Sequence, residues 1–142
     1  METVSSKNST PNILLVEDNS RFASAVSEIL KADYNVTVAP DPQGAMLATT
    51  KLRPDLILLD YGLPQMSGLD FLKILKRRMN VPVIMLTGER DPETIIDTMK
   101  AGASDYVIKG SEDFEPNLRF RISQVLEHAA TMRPRRPLGS VL

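Results

Sequence analysis

The sequence contains no cysteine. Disulfide staples, thiolate metal centres and cysteine nucleophiles are therefore excluded together. Histidine is almost as scarce: His128 is the single one, and it falls in a segment read below as the last helix, where a surface role is expected. No apolar run approaches the length needed to cross a bilayer. The opening stretch METVSSKNSTP is polar and lacks the apolar centre of a signal peptide. A cytoplasmic setting with no membrane partner is expected. Charge of one sign is lacking too, since 17 basic and 18 acidic residues leave a formal net charge of -1. No global field draws the chain to nucleic acid, so direct nucleic-acid binding is not expected. No Gly- or Ser/Thr-rich phosphate loop follows the first apolar run, which argues against a flavodoxin-type cofactor site. No internal repeat is visible.

What remains is an ordinary globular composition. The chain has 142 residues, 42% hydrophobic and 25% charged. That length favours one domain with a real core. Residues 1–11 read as a disordered N-terminal tail, 12–131 as the folded domain, and 132–142, with RPRRP, as a linker or C-terminal tail. The chain is expected to be either a stand-alone regulator or one domain of a longer protein.

Within the folded part, apolar runs alternate with amphipathic segments. NILLVE (12–17), DLILLD (55–60) and PVIMLT (82–87) are short continuous runs, the mark of strands buried on both faces. YNVTVA (34–39) alternates and DYVIK (105–109) is short, so both read as edges. Between them lie helical patterns. Phe22, Ala25, Val26, Ile29 and Leu30 share one face of the first. Asp41-Pro42 caps the second, with Ala45, Ala48 and Leu52 inward. Ser67 caps the third, with Leu69, Leu72, Leu75 and Met79 inward. Asp91-Pro92 caps the fourth, with Ile95, Ile96 and Met99 inward. Leu118, Ile122, Val125, Leu126 and Ala129 line the fifth. Five βα repeats with short connections imply an α/β fold: a parallel sheet with helices on both faces. Central strands 1, 3 and 4 with edges 2 and 5 suit the flavodoxin-like order 2-1-3-4-5.

In such a sheet the strand C-termini share one edge, where ligands bind. Glu17, Asp18, Asp60, Thr87 and Lys109 all fall there. Two carboxylates about 4 Å apart repel by roughly 4 kcal/mol at an effective dielectric near 20. A proton or a cation must relieve that repulsion. One lysine neutralises one carboxylate, not three. Mg2+ favours oxygen ligands and keeps several waters, so it fits. Glu17, Asp18 and Asp60 are the candidate ligands, with the backbone carbonyl of Gly62 as a fourth. Asp60 is the candidate carboxylate nucleophile for a phosphoryl group. Lys109 and Thr87 would neutralise its oxygens. Gly88 would leave room for the donor.

These motifs, in order and at the right strand ends, resemble the CheY-like receiver domain of two-component response regulators. The acidic pair Glu17-Asp18, the DYGLP turn with Asp60, Thr87-Gly88, and Tyr106 three residues before Lys109 carry the likeness. It covers roughly residues 11 to 131. The resemblance implies that Asp60 takes a phosphoryl group from the phosphohistidine of a histidine kinase or histidine phosphotransfer protein, with Mg2+. It implies that Thr87 and Tyr106 act as a switch that repacks the face of helix 4, strand 5 and helix 5. Partners read that face, and it is a route to a homodimer. The protein would be a phosphoacceptor rather than a conventional turnover enzyme.

Two departures stand out. Gly110 follows Lys109 where the family usually has proline and a cis bond, so a trans bond is expected. Gly62 is smaller than many members carry and should open the site. The alternative reading is a degenerate receiver that binds partners without phosphorylation. A metal-dependent phosphatase would need a second aspartate at Gly62. Taken singly, Asp60 reads as a turn cap, Lys109 as a surface charge and Tyr106 as edge-strand packing.

Overall fold

The computed structural model describes residues 10–88 and 90–132. Five strands and five helices alternate along it. They are β1 (Asn12–Val16), α1 (Ser20–Leu30), β2 (Asn35–Ala39), α2 (Pro42–Lys51) and β3 (Leu56–Asp60), then α3 (Gly68–Arg78), β4 (Val83–Thr87), α4 (Pro92–Lys100), β5 (Asp105–Ile108) and α5 (Phe114–Met132). Every strand pairing is parallel, and the order is β2-β1-β3-β4-β5, as expected. Of the two expected tails, residues 1–9 and 133–142 lie outside the described residues, and Met132 closes α5. No helix among the described residues is long and apolar enough to cross a membrane.

The helices begin where short polar side chains satisfy the free amides of a first turn. Asp41, Ser67 and Asp91 accept from the amides of Gly44, Asp70 and Thr94. Asn19 does the same for α1 through the Phe22 amide. Glu17 and Asp18 are thereby released from capping.

Alternation along the strands builds two cores. Ile13, Leu15, Leu56, Leu58, Ile84, Leu86 and Val107 face α1 and α5. Leu14, Val16, Ile57, Leu59, Val83 and Met85 face the other way, against Ala45 of α2 and Phe71, Leu72 and Leu75 of α3. The three central strands are buried over almost their whole length, which is why they read as unbroken apolar runs.

Two helix faces differ from expectation. In α1, Ala23 is buried and Ala25 exposed, because the inner line runs Ala23, Val26, Leu30. Phe22 and Ile29 pack at its margin. In α4, Ile96 is 52% exposed and Met99 40% exposed, although both were expected inside. Thr98 takes the buried place. In this nine-residue helix Ile95 is half-buried and Thr98 buried, so its inner line is too narrow for an apolar arc that also includes Ile96 and Met99. Phe71 is a fully buried side chain that the helix-face reading passed over.

Candidate functional site

The sheet ladder continues one residue past the strands and so fixes the site's main chain. Glu17 N donates to Ala39 O, Tyr61 N to Leu86 O and Lys109 N to Thr87 O, each at 2.9 Å. Alternation then decides direction. Glu17 follows Ile13 and Leu15, Asp60 follows Leu56 and Leu58, and Lys109 follows Val107. All three therefore turn toward the α1/α5 side of the sheet. They meet where β1 and β3 lie side by side and the chain winds away in opposite directions, the switch point at which such sheets bind ligands.

The contacts are close. Lys109 Nζ donates to Asp60 Oδ1 at 2.9 Å. It also lies 3.1 Å from Glu17 Oε1. Glu17 and Asp60 are only 2% and 5% exposed, whereas Asp18 is exposed. One oxygen from each of Glu17, Asp18 and Asp60 lies within 4.8 Å of the others. Glu17 Oε2 accepts from Asn19 N at 3.1 Å. Its buried Oε1 lies against the Lys109 ammonium. Burial pushes the Glu17 carboxyl above its ordinary value. The Asn19 amide and Lys109 oppose that and the Asp60 charge adds to it, leaving the net shift upward. Burial alone would lower the Lys109 ammonium. Its hydrogen bond and charge pairing with Asp60, supplemented by Glu17, outweigh burial and raise it.

Three carboxylates against one ammonium leave the crevice negative. The donor set is all oxygen, and the three carboxylates outnumber the single ammonium that meets them. That chemistry fits a hard divalent cation such as Mg2+.

The other expected residues sit nearby in distinct settings. Thr87 ends β4 at 3% exposure. Alternation with Val83 and Met85 puts it on the opposite face of the sheet from Asp60. Tyr106 is half-buried and packs against that same second core. Gly62 is exposed in the loop after Asp60. A Cβ added at Gly62, Gly88 or Gly110 would meet nothing within 4 Å, so all three border open space. No cis peptide bond occurs among the described residues, so Lys109–Gly110 is trans as expected.

Two contributors escaped the sequence reading. Phe22 places its ring 4.5 Å from Lys109 Nζ. Its position in the first turn after the acidic pair was the available signal. Gly68 opens α3 against the main chain of Asp60 and Tyr61; nothing in the local sequence marks it.

Comparison with known proteins agrees with this geometry. Over 98 residues the chain is 36% identical to the DNA-binding response regulator MtrA of Mycobacterium tuberculosis, covering 68% of this chain and 43% of MtrA. It is 32% identical over 125 residues to the transcriptional regulatory protein KdpE of the same species, covering 86% of this chain and 55% of KdpE. The chain thus spans about half the length of the curated relatives it matches. Among solved structures, the BeF3-activated N-terminal receiver domain of Klebsiella pneumoniae RstA superimposes with a TM-score of 0.75 at 29% identity, covering 81% of this chain and 97% of that one. The family model described as the response regulator receiver domain matches residues 13–127. With the strand order, the acidic pocket and the paired lysine in place, the chain belongs to the response regulator receiver domain family.

Proposed function

We propose that this protein is a phosphoryl-accepting switch in two-component signalling, with Asp60 as the acceptor. The receiver unit is residues 12–131. The donor is the phosphohistidine of a histidine kinase or histidine phosphotransfer protein. An Asp60 oxygen forms the new O–P bond as the donor's N–P bond breaks, and the leaving imidazole keeps the electron pair. Glu17, Asp18 and Asp60, with the Gly62 carbonyl, are the residues that would hold Mg2+. When bound, the ion supplies charge neutralisation for the phosphoryl oxygens. Lys109, whose ammonium already touches Asp60 and Glu17, would neutralise a second oxygen. Thr87, at the neighbouring strand end but on the other face of the sheet, would swing its hydroxyl round the sheet edge to a third oxygen.

A phosphoryl group brings a charge of about -2 to Asp60. The Lys109–Asp60 pair must rearrange to meet it. Thr87 and Tyr106 share the second face of the sheet, which supports a relay from the phosphoryl group through Thr87 to Tyr106. The output surface would be α4, β5 and α5. Exposed Ile96 and Met99 on α4 favour a partner, or a second copy, reading that surface. MtrA is named as DNA-binding and KdpE as a transcriptional regulator. By analogy the downstream effect is control of transcription through another domain or partner.

The observation that carries this reading is the 2.9 Å contact of Lys109 with a buried Asp60 beside two further carboxylates. The test is incubation with Mg2+ and a small acyl or amido phosphate, read by intact mass. The native chain should gain one phosphoryl group, and Asp60→Asn should gain none. Absence of the gain under conditions that phosphorylate a control receiver defeats the proposal in favour of a phosphorylation-independent binding module.

A further inference from the structure

We infer that Phe22 is a positioning residue for Lys109, its ring face holding the ammonium against Asp60 and Glu17. The catalytic consequence rests on the phosphoacceptor reading above; the contact itself does not. Lys109 Nζ lies 4.5 Å from the Phe22 ring centroid. That is inside the range of about 6 Å over which a ring quadrupole attracts a cation. The same ammonium touches Asp60 at 2.9 Å and Glu17 at 3.1 Å. Lysine reaches its partners on a flexible four-carbon stem. Here it is met by carboxylates and by an aromatic face.

The ring is itself held. Phe22 N donates to Asn19 Oδ1 at 2.9 Å, which fixes its backbone in the first turn of α1. Its ring packs on Phe114 with centroids 5.5 Å apart and planes tilted by 53°, a favourable aromatic arrangement. Phe114 begins α5 and closes the turn that follows Lys109 through Phe114 N to Ser111 O at 3.1 Å. Both rings pack against the α1/α5 core. The aromatic pair therefore ties the first turns of α1 and α5 together beside the ammonium.

That brace matters because the main chain after Lys109 lacks packing at its first residue. A Cβ at Gly110 would meet nothing within 4 Å. Where a residue packed there would stiffen the loop, Gly110 leaves it free. Phe22 restrains the far end of the lysine side chain instead. It touches no reacting atom, and its effect passes entirely through Lys109.

The experiment has two arms. The first is the proton NMR shift of the Lys109 ε-methylene, which a ring face moves upfield. It should be shifted in the native protein and in Phe22→Tyr, and relaxed in Phe22→Leu. The second is the rate of phosphorylation by a small acyl phosphate with Mg2+. Phe22→Leu should slow it about three- to tenfold, and Phe22→Tyr or Phe22→Trp should hold it within about twofold. In a Lys109→Met background, followed over longer incubation, Phe22→Leu should cause no further loss. An unshifted native ε-methylene overturns the inference. So does a Phe22→Leu loss of equal size with Lys109 already replaced, or a Phe22→Leu rate equal to native. A native chain that takes up no phosphoryl group overturns the proposed function instead, and the NMR arm still decides the contact.

Discussion

A Cβ added at Gly68 would lie 2.7 Å from the Tyr61 Cα, and nearer still to the Asp60 carbonyl oxygen. Gly68 N donates to Tyr61 O at 2.7 Å, so the first turn of α3 is clamped onto the corner that carries Asp60. Gly68 is required for space and not for an unusual φ. Gly68→Ala must push α3 or the Asp60 peptide aside. It should cost about 1–3 kcal/mol, the usual range for overpacking. Urea unfolding checks this, and an unchanged midpoint would refute the clamp. Gly62→Ala should be nearly neutral by the same measurement, since its Cβ would enter open space. In the sequence one glycine lies within the DYGLP turn and the other just after the Ser67 cap; the difference in their packing is a contact between chain segments and leaves no local mark.

At the level of elements, α4 is the helix least committed to the core. Its buried contribution is Thr98, while Ile96 and Met99 are exposed. Ile96→Glu should therefore change stability by no more than about 0.5 kcal/mol. Phe71→Ala in α3 should cost about 3–5 kcal/mol, because Phe71 is fully buried. Thermal unfolding of the two variants gives the comparison. If α4 is the surface that answers to phosphorylation, Ile96→Glu should also abolish any phosphorylation-dependent self-association seen by sedimentation. A large loss of fold stability in Ile96→Glu would show that α4 packs inward after all. Apolar spacing identified α4 as a helix but misjudged its face. Helical period reveals where apolar residues cluster, and only the neighbouring elements decide how much of that cluster is covered.

For the whole molecule, the crevice couples stability to pH, and to a divalent cation if the proposed site binds one. The folded-state pKa of Glu17 is raised, chiefly by burial, above its ordinary 4.5. The folded protein thus holds this proton more tightly than the unfolded chain. The stabilisation from Glu17 is full below pH 4.5 and is lost as pH rises through the raised value. Lys109 is raised as well, its pairing with Asp60 and Glu17 outweighing burial. Its contribution is full below pH 10.5 and is lost as pH climbs through the raised value. Glu17→Gln should therefore be more stable than native near pH 7, and the gain should vanish below pH 4.5. Urea midpoints across pH check the sign, and a Glu17→Gln variant that is less stable at neutral pH would contradict it. Mg2+ at a hundredfold excess over its dissociation constant should stabilise the native protein at pH 7 by about 2.7 kcal/mol, seen as a rise in its thermal midpoint. In Asp18→Asn the rise should be much smaller. Equal rises in both proteins would place the ion elsewhere.

The linear chain by itself determined the element order, the buried central strands, the helix caps at Asp41, Ser67 and Asp91, and the acids and lysine at one rim of the sheet. Each of these is a local pattern: an unbroken apolar run, a helical period, a short polar residue before proline or glycine. Their sum restricts a βα chain to few topologies, so the strand order followed. Only the tertiary structure decided which side each rim residue faces. Asp60 and Thr87 end adjacent strands yet alternate to opposite faces of the sheet, because β3 and β4 pair Asp60 with Leu86. Lys109 meets Asp60 across 49 positions of chain, and Phe22 meets Lys109 from a different helix. Such contacts depend on register and on the distance between packed segments, and local periodicity carries no information about either.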